Sequence, residues 1–91
     1  MHWRLFATLA ETAGTDEVPV ELDGEGTLRD AFDDLLARHP DLESDLLEDG
    51  ALAGHVRLLV DGGDPFREGE GWETTIDAGT ELALFPPVSG G

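Results

Sequence analysis

The last seven residues, Phe85-Pro86-Pro87-Val88-Ser89-Gly90-Gly91, are the part of this sequence best suited to chemistry. Gly91 ends the sequence and is expected to present a free carboxylate. Pro86 and Pro87 lack an amide hydrogen and have a fixed φ, so they stop sheet pairing and hold the chain extended. Val88 and Ser89 are small, and Gly90 and Gly91 have no side chain, so such a tail fits a narrow channel. A carboxylate is a poor acyl donor, so another protein must activate it. Other chemistry has little support. His2, His39 and His55 lack metal-ligand spacing. Ser44 and Ser89 have no recognisable base partner. Adjacent acids such as Asp33-Asp34 read as a solvated helix face. There is no GxxxxGK phosphate loop and no cysteine. The sequence is not expected to carry an enzyme active site of its own.

The elements that must hold this tail follow from periodicity. Trp3 to Thr8 reads as a strand, with Trp3, Leu5 and Ala7 on one side and Arg4 and Phe6 on the other. Leu9 to Ala13 reads as a helical turn closed by Gly14. Glu17 to Leu22 reads as a second strand. Pro19 places it at an edge or at a non-pairing position. Asp23 to Gly26 is a loop. Thr27 to Arg38 is a helix, capped by Thr27 with Asp30 three residues on. Leu28, Ala31, Phe32, Leu35 and Leu36 form its apolar stripe. Asp41 to Glu48 suggests a shorter helix burying Leu42 and Leu46. Val56 to Val60 is a strand with His55, Arg57 and Leu59 on the outward side, and Asp61-Gly62-Gly63 is a turn. Phe66 and Trp72 are expected to anchor the acidic, glycine-rich stretch 65–73. Thr74 to Asp77 is a short strand around Ile76, and Thr80 to Phe85 is the last strand. The order is ββαββ, an α+β arrangement. If Leu5, Leu58 and Leu84 face the helix, Phe6, Leu59 and Phe85 share the opposite face with Arg4 and Arg57. Three large apolar residues there suggest a docking patch for a partner. The alternative is a covering loop, such as the Phe66/Trp72 segment.

Three stretches resemble one family. Asp77 through Gly91 is similar to the ending of the MoaD/ThiS-like β-grasp family. That family includes the small subunit of molybdopterin synthase and small archaeal ubiquitin-like modifiers. Leu5-Phe6-Ala7 with Leu9-Ala10-Glu11 and Gly14 resembles its first strand and turn. Thr27 to Phe32 through His39-Pro40 resembles its central helix. Where the family usually has Asn-Gly after the third strand, this sequence has Asp61-Gly62, which keeps the turn chemistry. The resemblance implies a single ubiquitin-like β-grasp domain over 1–91, with mixed sheet on one main helix and a flexible tail over 86–91. It further implies that a ubiquitin-activating-type adenylating enzyme uses ATP to adenylate Gly91, and that the chain binds no cofactor itself. Sulfur attack then gives a thiocarboxylate, and attack by a target-protein lysine gives an isopeptide bond. Partners implied are that enzyme, target lysines, and either the large subunit of molybdopterin synthase or a tRNA thiolation enzyme. Two alternatives stand beside a modifier or sulfur carrier. One is a dedicated sulfur-donating subunit for molybdenum cofactor biosynthesis. The other is a non-covalent interaction module whose tail is incidental.

Composition narrows the setting. With 91 residues the chain is sized for one domain. The 21 acidic residues outnumber 5 basic ones, giving a net charge of −16. Such a surface repels nucleic acid and anionic membranes. No apolar run approaches the roughly 20 residues of a membrane span. The N-terminus lacks a signal-peptide pattern, so a cytoplasmic protein is expected; it is separately expected to be a monomer. All basic residues are arginine, and the acids are spread along the whole sequence. One reading of this charge is a surface complementary to a basic partner; the even spread favours the other, adaptation to high salt, and the composition resembles that of proteins from halophilic archaea, where acidic surfaces maintain solubility. The charge yields a prediction. Self-repulsion at −16 should be relieved as the Debye length falls from about 10 Å at 0.1 M to about 3 Å at 1 M. The melting temperature, followed by circular dichroism, therefore rises with KCl across that range. A flat or falling trend would refute the salt-adaptation reading.

Overall fold

Trp3 and Leu5 alternate with His2 and Arg4 in the first strand, β1 (His2–Leu5), and only the first pair is buried. The structure, a computed structural model, describes residues 1–21, 25–54 and 56–86. β1 stops short of the predicted Thr8 because Ala7 takes a φ of 51° and turns the chain into α1 (Thr8–Ala13). α1 buries Leu9 and ends at Gly14, whose φ of 81° is left-handed and suits a residue without Cβ. β2 (Glu17–Pro19) pairs antiparallel with β1. It is shorter than the predicted 17–22, and Leu22 lies outside the described residues. β2 is an outer strand of its sheet, so the missing amide hydrogen of Pro19 is tolerated.

β3 (Gly26–Thr27) leads into α2 (Leu28–Arg38). The start of α2 is a reciprocal cap. Asp30 N–H donates to the Thr27 hydroxyl at 3.3 Å, and Thr27 N–H donates to the Asp30 carboxylate at 3.0 Å. Leu28, Ala31, Phe32 and Leu35 are buried, as their spacing predicts. At the other end, Arg38 donates to Asp34 at 3.3 Å and lies 2.9 Å from Glu21, tying α2 to the chain after β2. The hydrogen bond to Glu21, with Asp34 adding to it, raises the guanidinium pKa above its ordinary value. After Pro40 a 3-10 turn (Pro40–Leu42) and α3 (Glu43–Leu46) bury Leu42 and Leu46. The predicted single helix over 41–48 is thus split and shortened. Its last two residues form β4 (Leu47–Glu48), which pairs with β5 (Ala51–Leu52). Asp49 and Gly50 join them with φ of 54° and 81°, the Asp-Gly turn of a two-residue hairpin.

β6 (Arg57–Val60) is followed by a second such turn at Asp61 and Gly62, φ 51° and 82°. α4 (Pro65–Glu68) begins at Asp64, whose carboxylate accepts from Phe66 N–H at 2.9 Å. A 3-10 turn (Gly71–Glu73), β7 (Thr75–Ile76) and β8 (Leu82–Phe85) complete the described chain. The main sheet has the order β2-β1-β8-β6. β1 and β8 run parallel, and the other neighbours are antiparallel. β7 pairs with β3 in a separate short ladder. One face of the main sheet is buried. Trp3 from β1 meets Phe32 of α2 edge-on, with centroids 6.3 Å apart, and its indole N–H donates to Ala31 O at 3.1 Å. This is an α+β, ubiquitin-like β-grasp fold.

Asp61 fastens the β6 end to the start of β8. Its N–H donates to Glu81 O at 2.8 Å, and its carboxylate accepts from Glu81 N–H at 2.9 Å. Asp61→Asn keeps that acceptor and tolerates positive φ, so denaturant titration at fixed salt should show a change within about 0.5 kcal/mol. Asp61→Val loses the acceptor and strains a β-branched residue in the left-handed region, and should cost about 1–3 kcal/mol. Equal stabilities for the two variants would show that this tie is idle.

Candidate docking face and tail exit

The site begins where β8 ends. Along β8, Leu82 and Leu84 are buried and Ala83 and Phe85 point to the opposite face. The same alternation in β1 and β6 sends Arg4 and then Phe6, and Arg57 and Leu59, to that outer face. Register joins them. Phe85 faces Arg57, and Ala83 faces both Leu59 and Arg4 across its two neighbouring strands. Phe6 N–H donates to Leu84 O at 3.3 Å, which carries the parallel pairing one residue past β1. The Phe6 and Phe85 rings consequently stack, with centroids 4.3 Å apart and planes 10° from parallel. The Arg4 guanidinium carbon lies 5.8 Å from the Phe6 centroid, within cation–π range.

The structure therefore brings Phe6, Leu59 and Phe85 onto one face, with a change in their exposure. All three are half-buried, Phe6 and Phe85 because their rings cover each other. The Phe66/Trp72 segment does not cover this face. Trp72 packs on Phe32 of the helix side at 4.8 Å, and Arg29 of α2 lies 5.7 Å from its ring. Trp72 anchors its segment as expected. Phe66 does not. It meets Trp72 edge-on at 5.1 Å and stays 42% exposed, since Trp72 already occupies the Phe32 contact. Ala83, the small floor between Arg4 and Leu59, belongs to the face as well. Counting two residues back from Phe85 gives it.

Pro86, half-buried, follows β8 without extending it. Pro87, Val88, Ser89, Gly90 and Gly91, assigned to the tail by sequence, lie outside the described residues, as does His55. Among the described residues no group of three or more His, Asp or Glu could hold a metal ion. His2 Nε2 sits 3.7 Å from the Glu17 carboxylate at the sheet edge. His39 caps the C-terminal end of α2. The Ser44 hydroxyl donates to Asp41 O at 3.4 Å. What these residues offer together is a firm apolar and arginine-flanked surface beside the point where the chain leaves the sheet.

Comparison with known proteins agrees with this geometry. The sequence matches the ThiS family over residues 3–91. It is 48% identical over 92 residues to Small archaeal modifier protein 1 of Haloferax volcanii, covering 100% of each chain. The crystal structure of SAMP1 from Haloferax volcanii superposes with a TM-score of 0.86 at 47% identity, covering 100% of this chain and 98% of that one. A putative molybdopterin converting factor, subunit 1, from Pyrococcus furiosus superposes at 0.72 with 25% identity, covering 96% and 95%. With nearly its whole length matched, this chain belongs to the ThiS family of ubiquitin-like β-grasp proteins.

Proposed function

We propose that this protein is a ubiquitin-like modifier and sulfur carrier that works through the carboxylate of Gly91. The observation that carries the reading is the placement of the Phe6–Phe85 stack at the end of β8, immediately before the tail. Likeness to Small archaeal modifier protein 1 supports it. An adenylating enzyme binds the face formed by Phe6, Leu59 and Phe85 and receives the tail in its active site. Pro86 and Pro87 stiffen the tail's start, Val88 and Ser89 pass without bulk, and Gly90 and Gly91 enter the narrowest part. A Gly91 carboxylate oxygen attacks the α-phosphorus of ATP, and pyrophosphate leaves. The acyl-adenylate then accepts either hydrosulfide, giving a thiocarboxylate, or a target lysine amine, giving an isopeptide, with AMP leaving in both cases. The protein is a carrier acted upon by an enzyme, monomeric and cytoplasmic. No described helix is long and apolar enough to cross a membrane. A tRNA thiolation enzyme is a further acceptor of the sulfur.

A second reading, favoured by likeness to the molybdopterin converting factor subunit, is a dedicated donor of sulfur to the large subunit of molybdopterin synthase. Mass analysis of material from native cells separates the readings. A carrier yields both the sulfur-for-oxygen mass gain and larger conjugates, and deleting Gly90 and Gly91 removes both. A dedicated donor yields the mass gain alone. A non-covalent module yields neither. The chain has no lysine, and arginine is a very poor nucleophile. A tryptic digest, whose last cut in this chain falls after Arg67, should therefore leave residues 68–91 joined through Gly91 to target lysines and to no internal side chain of this protein. Abundant internal remnants would overturn that expectation.

Phe85→Ala should raise KM for activation about tenfold. Being half-buried, Phe85 should cost only about 1–2 kcal/mol of stability on removal, less than the roughly 3–5 kcal/mol of a fully buried Phe. Denaturation with a loss in the upper range and an unchanged KM would make Phe85 a core residue instead.

A further inference from the structure

We propose that Arg4 and Arg57 are the electrostatic half of the docking face, and that the activating enzyme meets them with carboxylates. The inference rests on the reading above that this face docks. It starts from an asymmetry of charge. The chain spends 21 acids and only 5 arginines. On α2, Arg29 and Arg38 are held by the protein's own acids: Arg29 by Asp33 at 3.8 Å, Arg38 by Glu21 and Asp34. Arg4, Arg57 and Arg67 are exposed and, among the described residues, appear in none of the ion pairs; Arg67 lies on α4, and only Arg4 and Arg57 stand beside the aromatic stack. Glu17, the cross-strand neighbour of Arg4, has its carboxylate near His2 instead.

Their positions bracket the aromatic pair. Arg57 stands directly across from Phe85, and Arg4 lies over Phe6. Solubility does not account for them, because acids supply it in this chain and each arginine lowers the magnitude of the net charge. A guanidinium is weakly hydrated, rests on aromatic faces and grips a carboxylate with two parallel hydrogen bonds. Beside a half-buried stack it is prepared for an interface that excludes water. The acidic surface elsewhere repels a carboxylate-bearing partner, so the pair of charges beside the stack favours docking through this face. Gly91 lies six residues beyond Phe85, up to about 20 Å of chain. The ATP phosphates therefore belong to the tail's end, and the groups facing Arg4 and Arg57 are side chains of the enzyme.

The test is steady-state ATP–pyrophosphate exchange by the adenylating enzyme of the native cells, with the full-length protein as the varied substrate. Arg4→Gln and Arg57→Gln should each raise KM about tenfold with kcat unchanged, while melting temperatures stay at the wild-type value. Arg57→Glu should raise KM beyond Arg57→Gln, because a carboxylate then faces a carboxylate. Equal KM values for those two variants would overturn the acidic partner surface. A double Gln variant within twofold of wild type, alongside a raised KM for Phe85→Ala, would leave apolar docking standing and remove the arginines from it. If neither the Gln pair nor Phe85→Ala moves KM, the docking face and this proposal both fall.

Discussion

β1 and β8 run side by side and parallel in the middle of the main sheet. Parallel neighbours cannot be joined by a tight turn, so everything between residues 5 and 82 serves as the connection. That connection carries α2 across the buried face, where Trp3 both packs on Phe32 and hydrogen-bonds to Ala31. The pairing has a consequence at the far end. Two strands pointing the same way finish at the same edge, which places Phe6 beside Phe85 and sends Pro86 away from that edge. The tail thus leaves from a central strand, hydrogen-bonded on both sides, rather than from a fraying border. Its starting point is fixed as firmly as the core.

The same pairing sets which side chains the outer face of the sheet presents. A slip of one residue would exchange Leu84 with Phe85 and Leu5 with Phe6, exposing the core and burying the stack. Three separate contacts resist that slip: the Phe6–Leu84 hydrogen bond, the Asp61–Glu81 pair and the buried Trp3 indole. The outer face is therefore specified in part by residues that do not lie on it. Asp61 and Trp3 touch neither ring of the stack.

Much of this was legible because it depends on period and capping alone. Thr27 with Asp30 announced the start of α2, Gly14 the end of α1, and Pro19 an edge strand, and all three have local causes. Alternation put Phe6, Leu59 and Phe85 on one face, and the structure has them there. What alternation does not contain is distance across strands, so the ring stacking that half-buries Phe6 and Phe85 was not readable. Phe66 was misjudged for a similar reason. Two aromatics competed for one contact on Phe32, and only packing decides that Trp72 takes it. The β4–β5 hairpin went unread although Asp49-Gly50 is its signal, because the apolar spacing of Leu42 and Leu46 favoured helix through the same residues. The tail was recognised by composition and resemblance, and its residues from Pro87 onward lie outside the described chain.

Under the proposed function, the activated C-terminus faces a chemical hazard from side chains of its own chain. Any lysine within reach of the acyl-adenylate competes with the intended acceptor. Here the positive charges that flank the docking face are arginines, which keep charge, planarity and ring stacking while offering no usable nucleophile. Cysteine is absent too, so no thiol of this chain can intercept the acyl group. Whatever selected against lysine across the sequence, the result at this face is specific. In the proposed docking, Arg4 and Arg57 meet a carboxylate-bearing partner without becoming substrates of the reaction that follows.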